Sequence, residues 1–325
     1  MTPLERALHE RIKAEGPITV EAYMEACNAY YYATRDPLGA DGDFTTAPEI
    51  SQMFGELVGA ALADCWTRSG APDNAIYVEL GPGRGTLAAD ALRVLRAAGF
   101  RGAVHLVETS PTLREAQRQS LPEAICHAEI ASLPGEPILL VANEFLDALP
   151  IRQHVGGIER KVSTVGGALA FDRDGEVVET SPAREAAVRA IASHLAAHGG
   201  IALIVDYGHE RSAPGDTVQA VRAHRYASVL EQPGEQDLTA HVDFEAVARI
   251  AGEGGAAVTP LVTQGDWLRA LGIEARADSL ARTNPDRAAE ISATLQRLTA
   301  PQAMGDLFKV IAPHAPAWAA PAGLV

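Results

Sequence analysis

Residues Ile76-Tyr77-Val78-Glu79-Leu80-Gly81-Pro82-Gly83-Arg84-Gly85-Thr86 set a carboxylate two positions before three alternating glycines. An apolar strand ends at this turn and a helix opens at Thr86, the half-unit of a nucleotide-binding α/β sheet. Glycine is needed where a ligand rests on bare backbone that a Cβ would obstruct. The dinucleotide fingerprint G-x-G-x-x-G would require glycine at 86, where the chain has Thr86. An acid at Glu79 would also repel a pyrophosphate. It suits a ligand that carries an ammonium and a sulfonium.

A second buried run, Ala103-Val104-His105-Leu106-Val107, ends in Glu108. An acid at the end of the second strand is where a carboxylate holds a ribose diol. The alternative is that Glu108 caps the helix opening at Ser110-Pro111, since acids favour helix N-termini. Asn143-Glu144-Phe145-Leu146-Asp147 follows a fourth strand, and Asp206-Tyr207-Gly208-His209 a fifth. Ligands of open α/β sheets bind beyond the carboxyl ends of strands, so both groups belong at the crevice. Glu144 and Asp147 are three apart, and one helical turn would put them on one side. A pair of carboxylates there can hold a guanidinium bidentately. The plainer reading makes Asp147 a helix cap or a partner of Arg152. His209 or His241, the latter in a polar loop with Asp237, could act as a base. The histidines show no ligand spacing, so no metal is expected.

These groups need a scaffold. Helical stripes precede the sheet at Leu4, Leu8 and Ile12, from Thr19 onward, and from Ile50 to Trp66. Between the last two runs a turn-rich loop that includes Gly42-Asp43-Phe44-Thr45-Thr46-Ala47-Pro48-Glu49. It reads either as a loop with helix caps or as a lid over the ligand, its hydroxyls and Asp43 reaching inward. Residues 151–180 alternate in polarity around Gly156-Gly157, Gly166-Gly167 and Asp174-Gly175, which predicts inserted antiparallel hairpins. The expected fold is α/β, a doubly wound seven-stranded sheet. Residues 1–70 form an N-terminal helical segment and lid, and 71–325 the sheet domain, with an insertion at about 151–198.

The 325 residues, 47% of them hydrophobic and 21% charged, describe a globular chain with a large core. A net charge of −15 without a Lys/Arg run argues against a nucleic-acid partner. Cys27, Cys65 and Cys126 are odd in number and scattered, so free thiols in a reducing, cytoplasmic setting are expected. The mixed-charge start is no secretory signal. No apolar run is long enough to insert in a membrane.

The glycine turn resembles motif I of the class I methyltransferases, whose ligand is S-adenosylmethionine (SAM). Further segments resemble one family along nearly the whole chain. They are 42–59 (GDFTTAPEISQMFGELVG), 78–87 (VELGPGRGTL), 107–117 (VETSPTLREAQ), 141–153 (VANEFLDALPIRQ), 202–209 (ALIVDYGH) and 237–244 (DLTAHVDF), joined by 263–273 and 304–313. They look like the MidA family of SAM-dependent methyltransferases. Its mitochondrial members carry a targeting extension and are described as protein-arginine methyltransferases that assist assembly of respiratory complex I. The resemblance implies SAM as cofactor, held by Asp43, Thr45, Thr46, Glu79, Gly81, Gly83, Gly85, Glu108 and Asn143. It implies Glu144, Asp147 and His241 at the acceptor, and a protein substrate of the complex I subunit type. A small-molecule acceptor and a non-catalytic assembly chaperone are the alternatives; intact Glu79, glycines and Glu108 speak against the chaperone.

Overall fold

The apolar runs named above become strands because each is covered on both sides, so that every residue of Ile76–Leu80 and of Ile138–Asn143 is buried. The computed structural model describes residues 1–34, 46–222 and 225–324. Numbered along the chain, the central strands are β1 (Ile76–Leu80), β2 (Val104–Val107), β3 (Ile125–His127), β4 (Ile138–Asn143) and β5 (Gly200–His209). They continue with β6, in two short runs Ala257–Val258 and Val262–Thr263, and β7, in Phe308–Ile311 and Pro313–His314. The spatial order is β3-β2-β1-β4-β5-β7-β6, parallel from β3 to β5, with β7 antiparallel to β5. Pro260 and Thr259 interrupt β6, where the Thr259 hydroxyl accepts the N–H of Ala312 at 3.0 Å. The seven-stranded doubly wound sheet expected from the sequence is present. Its strand order reverses between β1 and β4, which opens a crevice at their carboxyl ends.

Side chains alternate across the sheet. Ile76, Val78, Leu80, Leu140 and Ile204 join helices Pro182–His198 and Phe244–Glu253 in one core layer. Tyr77, Leu139, Val141, Leu203 and Tyr207 join helices Gln52–Arg68 and Thr86–Ala97 in the other. These last two helices approach closely at Gly59, where a Cβ would lie 2.5 Å from the Ala91 carbonyl oxygen. The helix Pro182–His198 therefore belongs to the sheet, packing Val188, Ile191, Ala192 and Leu195 against it.

The hairpins form two small sheets. Arg152–Val155 pairs with Ile158–Glu159 and with Val177–Thr180, and Lys161–Val165 pairs with Ala168–Phe171. Both Gly156-Gly157 and Gly166-Gly167 take positive φ, as the tight hairpin turns require. Asp174-Gly175 does not turn a hairpin. It carries the chain from one small sheet to the other, because the strands that flank it pair with different partners. Ile18–Thr19 pairs with Lys161–Val165, and Leu8, Ile12, Tyr23, Met24 and Cys27 share a third core with Ile151 and Val162. The N-terminal helices thus pack on the insertion and roof the crevice. Cys27 and Cys65 are buried free thiols and Cys126 is a half-buried one.

Candidate active site

A cleft of about 650 Å³ opens at the carboxyl ends of β1, β2, β4 and β5, within the range of small-molecule sites. Its floor is the turn after β1. Gly81, Gly83 and Gly85 have φ of +59°, +52° and +84°, a conformation that side-chain-bearing residues avoid. At Gly81 a Cβ would stand 3.1 Å from the Phe145 ring, and at Gly85 one would stand 3.0 Å from Ser120 Oγ. Glu79, on β1 beside this turn, is 3% exposed, and its Oε2 accepts the Tyr77 hydroxyl at 2.6 Å. Loss of solvent pushes its carboxyl up to about 8, while the Tyr77 bond pulls the other way.

Glu108 lines the cleft at the end of β2. Its Oε1 accepts the N–H groups of Thr109 and Ser110 at 2.8 and 2.7 Å, and burial raises its pKa. The helix Pro111–Ser120 is capped by Ser110, whose hydroxyl accepts from Leu113 N. Glu108 is thereby fixed in direction without serving as the helix cap. Gln117, fully buried, donates to the Gly83 carbonyl at 2.7 Å and ties that helix to the glycine turn.

Asn143 ends β4 and Glu144 follows it with φ +51°, a strained position for a residue with a side chain. The Asn143 amide donates to Glu144 Oε1 at 3.2 Å, and the N–H of Ala47 reaches the same oxygen at 3.4 Å. Burial raises Glu144 to about 8, with the Asp147 charge adding to it. Asp147 is 4% exposed and raised by burial to about 6, with Arg184 and the Tyr207 hydroxyl opposing the rise. Two buried acceptors, Asn143 Oδ1 and Asp147 Oδ1, have no hydrogen-bond partner among the described residues. Buried acceptors are almost always satisfied, so an unsatisfied pair in a cleft marks places for donors of a ligand.

Residues 144–149 form a bend and turn, not the helical turn expected from the Glu144/Asp147 spacing. The reason is Asp206, fully buried on β5. Its Oδ2 accepts Leu146 N at 2.9 Å and Asp147 N at 3.2 Å, donors a helix would have aimed elsewhere. Glu144 and Asp147 nevertheless both line the cleft. Arg152 pairs with Glu21 at 2.6 Å, not with Asp147.

The far wall was not foreseen as one. Helix Val20–Thr34 brings Asn28, which donates to Ala148 O and Leu238 O, and Tyr32, whose hydroxyl donates to Asp237 Oδ1 at 2.8 Å. Asp237 lies on the strand Asp237–Thr239, not in a polar loop, because that run pairs with Gln219–Arg222. Tyr207 and Phe308 meet edge to face at 5.4 Å, and the His241 ring stands at 90° to Tyr207, 5.6 Å away. Of the two candidate bases only His241 lines the cleft; burial lowers its pKa. His209 faces a separate hollow with Ser212 and Asp243. Thr46 lines the cleft and precedes the short helix Ala47–Ile50, whose Glu49 accepts the Thr86 hydroxyl at 2.6 Å. Asp43 and Thr45 lie outside the described residues. The run of tyrosines at 30–32 was the available signal for the roof, but nothing in their spacing tells a roof from a core stripe.

Glu49, Glu79, Glu108, Glu144, Asp147 and Asp237 line the cleft against Arg84, 4.0 Å from Glu49. Such a site is built for a ligand rich in cationic donors laid over a glycine turn. The fold and the cleft together define a class I SAM-dependent methyltransferase. Residues 57–165 and 157–262 match the family described as "Putative S-adenosyl-L-methionine-dependent methyltransferase". The chain is 37% identical over 370 residues to the Drosophila melanogaster homolog of protein arginine methyltransferase NDUFAF7, mitochondrial, covering 95% of this chain and 84% of that protein. It is 36% identical over 338 residues to the Xenopus tropicalis protein of that name, covering 86% and 78%. A crystal structure of a Burkholderia thailandensis protein bound to S-adenosyl-homocysteine superposes with a TM-score of 0.85 at 28% identity, covering 99% of this chain and 92% of that one. The chain belongs to this family of SAM-dependent methyltransferases, and SAM is its cofactor. The cytoplasmic setting expected from the cysteines is overturned, because these curated relatives are named as mitochondrial. Among the described residues no helix is long and apolar enough to cross a membrane.

Proposed function

We propose that the chain transfers a methyl group from SAM to an arginine side chain of a partner protein. The observation that carries this reading is that Glu144 and Asp147 both line the cleft, with Asp147 Oδ1 unpartnered among the described residues. A guanidinium presents a planar fork of donors that two carboxylates can satisfy together. The relatives named as protein arginine methyltransferases support the same acceptor, and the family resemblance supports a respiratory complex I subunit as its bearer.

In this reading Gly81, Gly83 and Gly85 admit the cofactor against the backbone. Glu79 and Asn143 would hold its ammonium and Glu108 its ribose hydroxyls, with Thr46 at the edge of the cleft. Bound SAM supplies an electrophilic methyl on a sulfonium. Glu144 and Asp147 orient the acceptor so that one nitrogen's lone pair faces that methyl, and alignment of this kind is most of what such an enzyme contributes. Burial keeps Glu144 protonated in the free protein; a bound guanidinium favours its carboxylate, which can then receive the proton the acceptor gives up. His241, beside Tyr207, is the second group that can do so.

The test is methyl transfer from labelled SAM to lysate protein, followed by hydrolysis and identification of the labelled amino acid. Methylarginine is expected, and the Glu144→Gln protein should bind SAM yet label nothing. Label confined to small molecules would overturn the reading.

A further inference from the structure

Behind the acceptor carboxylates lie two further buried polar side chains, Arg184 and Asp206. Arg184, at the start of helix Pro182–His198, is 8% exposed, and its guanidinium touches four backbone carbonyls. Nε donates to Leu146 O at 2.7 Å and Nη1 to His241 O at 2.6 Å. Nη2 donates to Ala240 O at 2.8 Å and to Asp147 O at 3.1 Å. Asp206 takes the opposite polarity of the same peptides, accepting Leu146 N and Asp147 N through Oδ2, while its Oδ1 accepts Tyr207 N at 3.0 Å. Ala240 N closes the set on Asp147 O at 3.1 Å. Two loops from distant parts of the chain, 146–147 and 240–241, are thus riveted by one guanidinium and one carboxylate. Neither side chain is used by the chemistry proposed above.

We infer that Arg184, with Asp206 behind the loop, is a positioning residue that sets Glu144, Asp147 and His241 in the one mutual geometry that accepts the methyl acceptor. The inference rests on the reading of Glu144 and Asp147 as the acceptor clamp. A guanidinium is suited to the task because it spreads several donors in a rigid plane, which the compact ammonium of lysine cannot reproduce. It also sets a positive charge behind a wall of carboxylates that would otherwise repel one another. Among the described residues the glycine turn and Glu108 receive no hydrogen bond from Arg184, so SAM binding should depend on it less than the acceptor does.

The experiment uses the full chain with Arg184→Lys and Asp206→Asn, and measures SAM affinity by calorimetry alongside steady-state kinetics on the labelled protein acceptor. Arg184→Lys should keep SAM affinity within about twofold of the original, while kcat/KM for the acceptor falls ~10²-fold, the usual cost of a clamp displaced by about an ångström. Asp206→Asn keeps one oxygen acceptor but puts an amide NH2 in place of the other, which accepts from the backbone, and should show the same split to a smaller degree. A lysine variant with unchanged turnover overturns the inference. So does one that loses SAM affinity or fold in step with turnover, since Arg184 would then serve only stability. Glu144→Gln in the same assay separates the two claims: if it too keeps full turnover, the acceptor reading has failed rather than the role of Arg184.

Discussion

The Tyr77 hydroxyl donates a 2.6 Å hydrogen bond to Glu79 Oε2 inside the wall of the cofactor cleft, two residues away on the same face of β1. Strand periodicity makes such an i, i+2 pair possible, and burial makes it consequential. Glu79 sits where water cannot stabilise its charge, and Tyr77 is the donor that keeps an ionised state within reach.

Burial holds Glu79 at about 8, so near neutrality the free protein keeps it largely protonated. An ammonium brought beside it favours the carboxylate. Binding of SAM at pH 7 should therefore release a proton, and affinity should rise as pH increases toward 8. Calorimetry in buffers of different ionisation enthalpy reads this directly; no buffer dependence would refute it. Tyr77→Phe should weaken SAM binding by roughly 1.5 kcal/mol, the worth of a hydrogen bond to a charged group.

The same shift has a stability counterpart. Glu79 and Glu144 both have folded values near 8, above the ordinary 4.5. The stabilisation from keeping them protonated is complete below pH 4.5 and is lost as pH rises through 8, because the native state then binds more protons than the unfolded one. The melting temperature of the free protein should accordingly fall between about pH 4.5 and 8 through these groups and level off above. Glu79→Gln should flatten part of that fall. An unchanged slope in the variant would show that Glu79 titrates in its ordinary range.

Gly83 has φ +52°, and its carbonyl is held by Gln117. Gly83→Val should abolish SAM binding while the protein stays folded, since a Cβ there intrudes on the face the ligand needs. Retained affinity would show that the turn is glycine-rich for its own geometry alone.

Glu108→Ala should weaken SAM affinity by roughly 1.5–3 kcal/mol. The bonds from Thr109 and Ser110 to Oε1 add a small loss of stability in the free protein, because the loop entering helix Pro111–Ser120 loses its acceptor. A thermal scan with and without SAM separates the two. If only the unliganded melting point moves, Glu108 is a structural residue.

At the acceptor, Glu144→Gln and Asp147→Asn should each reduce methyl transfer by at least ~10²-fold with SAM binding intact, since both act on alignment. The double variant should cost less than the sum, as expected for residues that share one task. Wild-type turnover in both single variants would move the acceptor site toward Asp237 and His241.

The central sheet was legible because its signals are local. Continuous apolar runs, glycines that relieve a positive φ, and an acid at a strand end are dictated by residues within a few positions of one another. Glu79, Gly81, Gly83, Gly85 and Glu108 could be named as a group for that reason. The lower visibility of the roof has an equally simple cause: Tyr32 meets Asp237, and Asn28 meets Leu238, across more than 200 residues of chain. No periodicity records such a contact.

The sequence by itself determined the fold class, the glycine cradle and, among the cleft carboxylates, Glu79, Glu108, Glu144 and Asp147. Only the tertiary structure decided how the acceptor loop is shaped. From spacing alone, Glu144 and Asp147 belong on a helical turn, since nothing nearby competes for the N–H groups of Leu146 and Asp147. In the folded chain Asp206 arrives on β5 and Arg184 on the helix before it, and together they claim both polarities of those peptides. Buried side chains with several well-placed hydrogen-bond partners outweigh the weak local preference for a turn of helix, and their partners are chosen by packing, which sequence spacing does not encode.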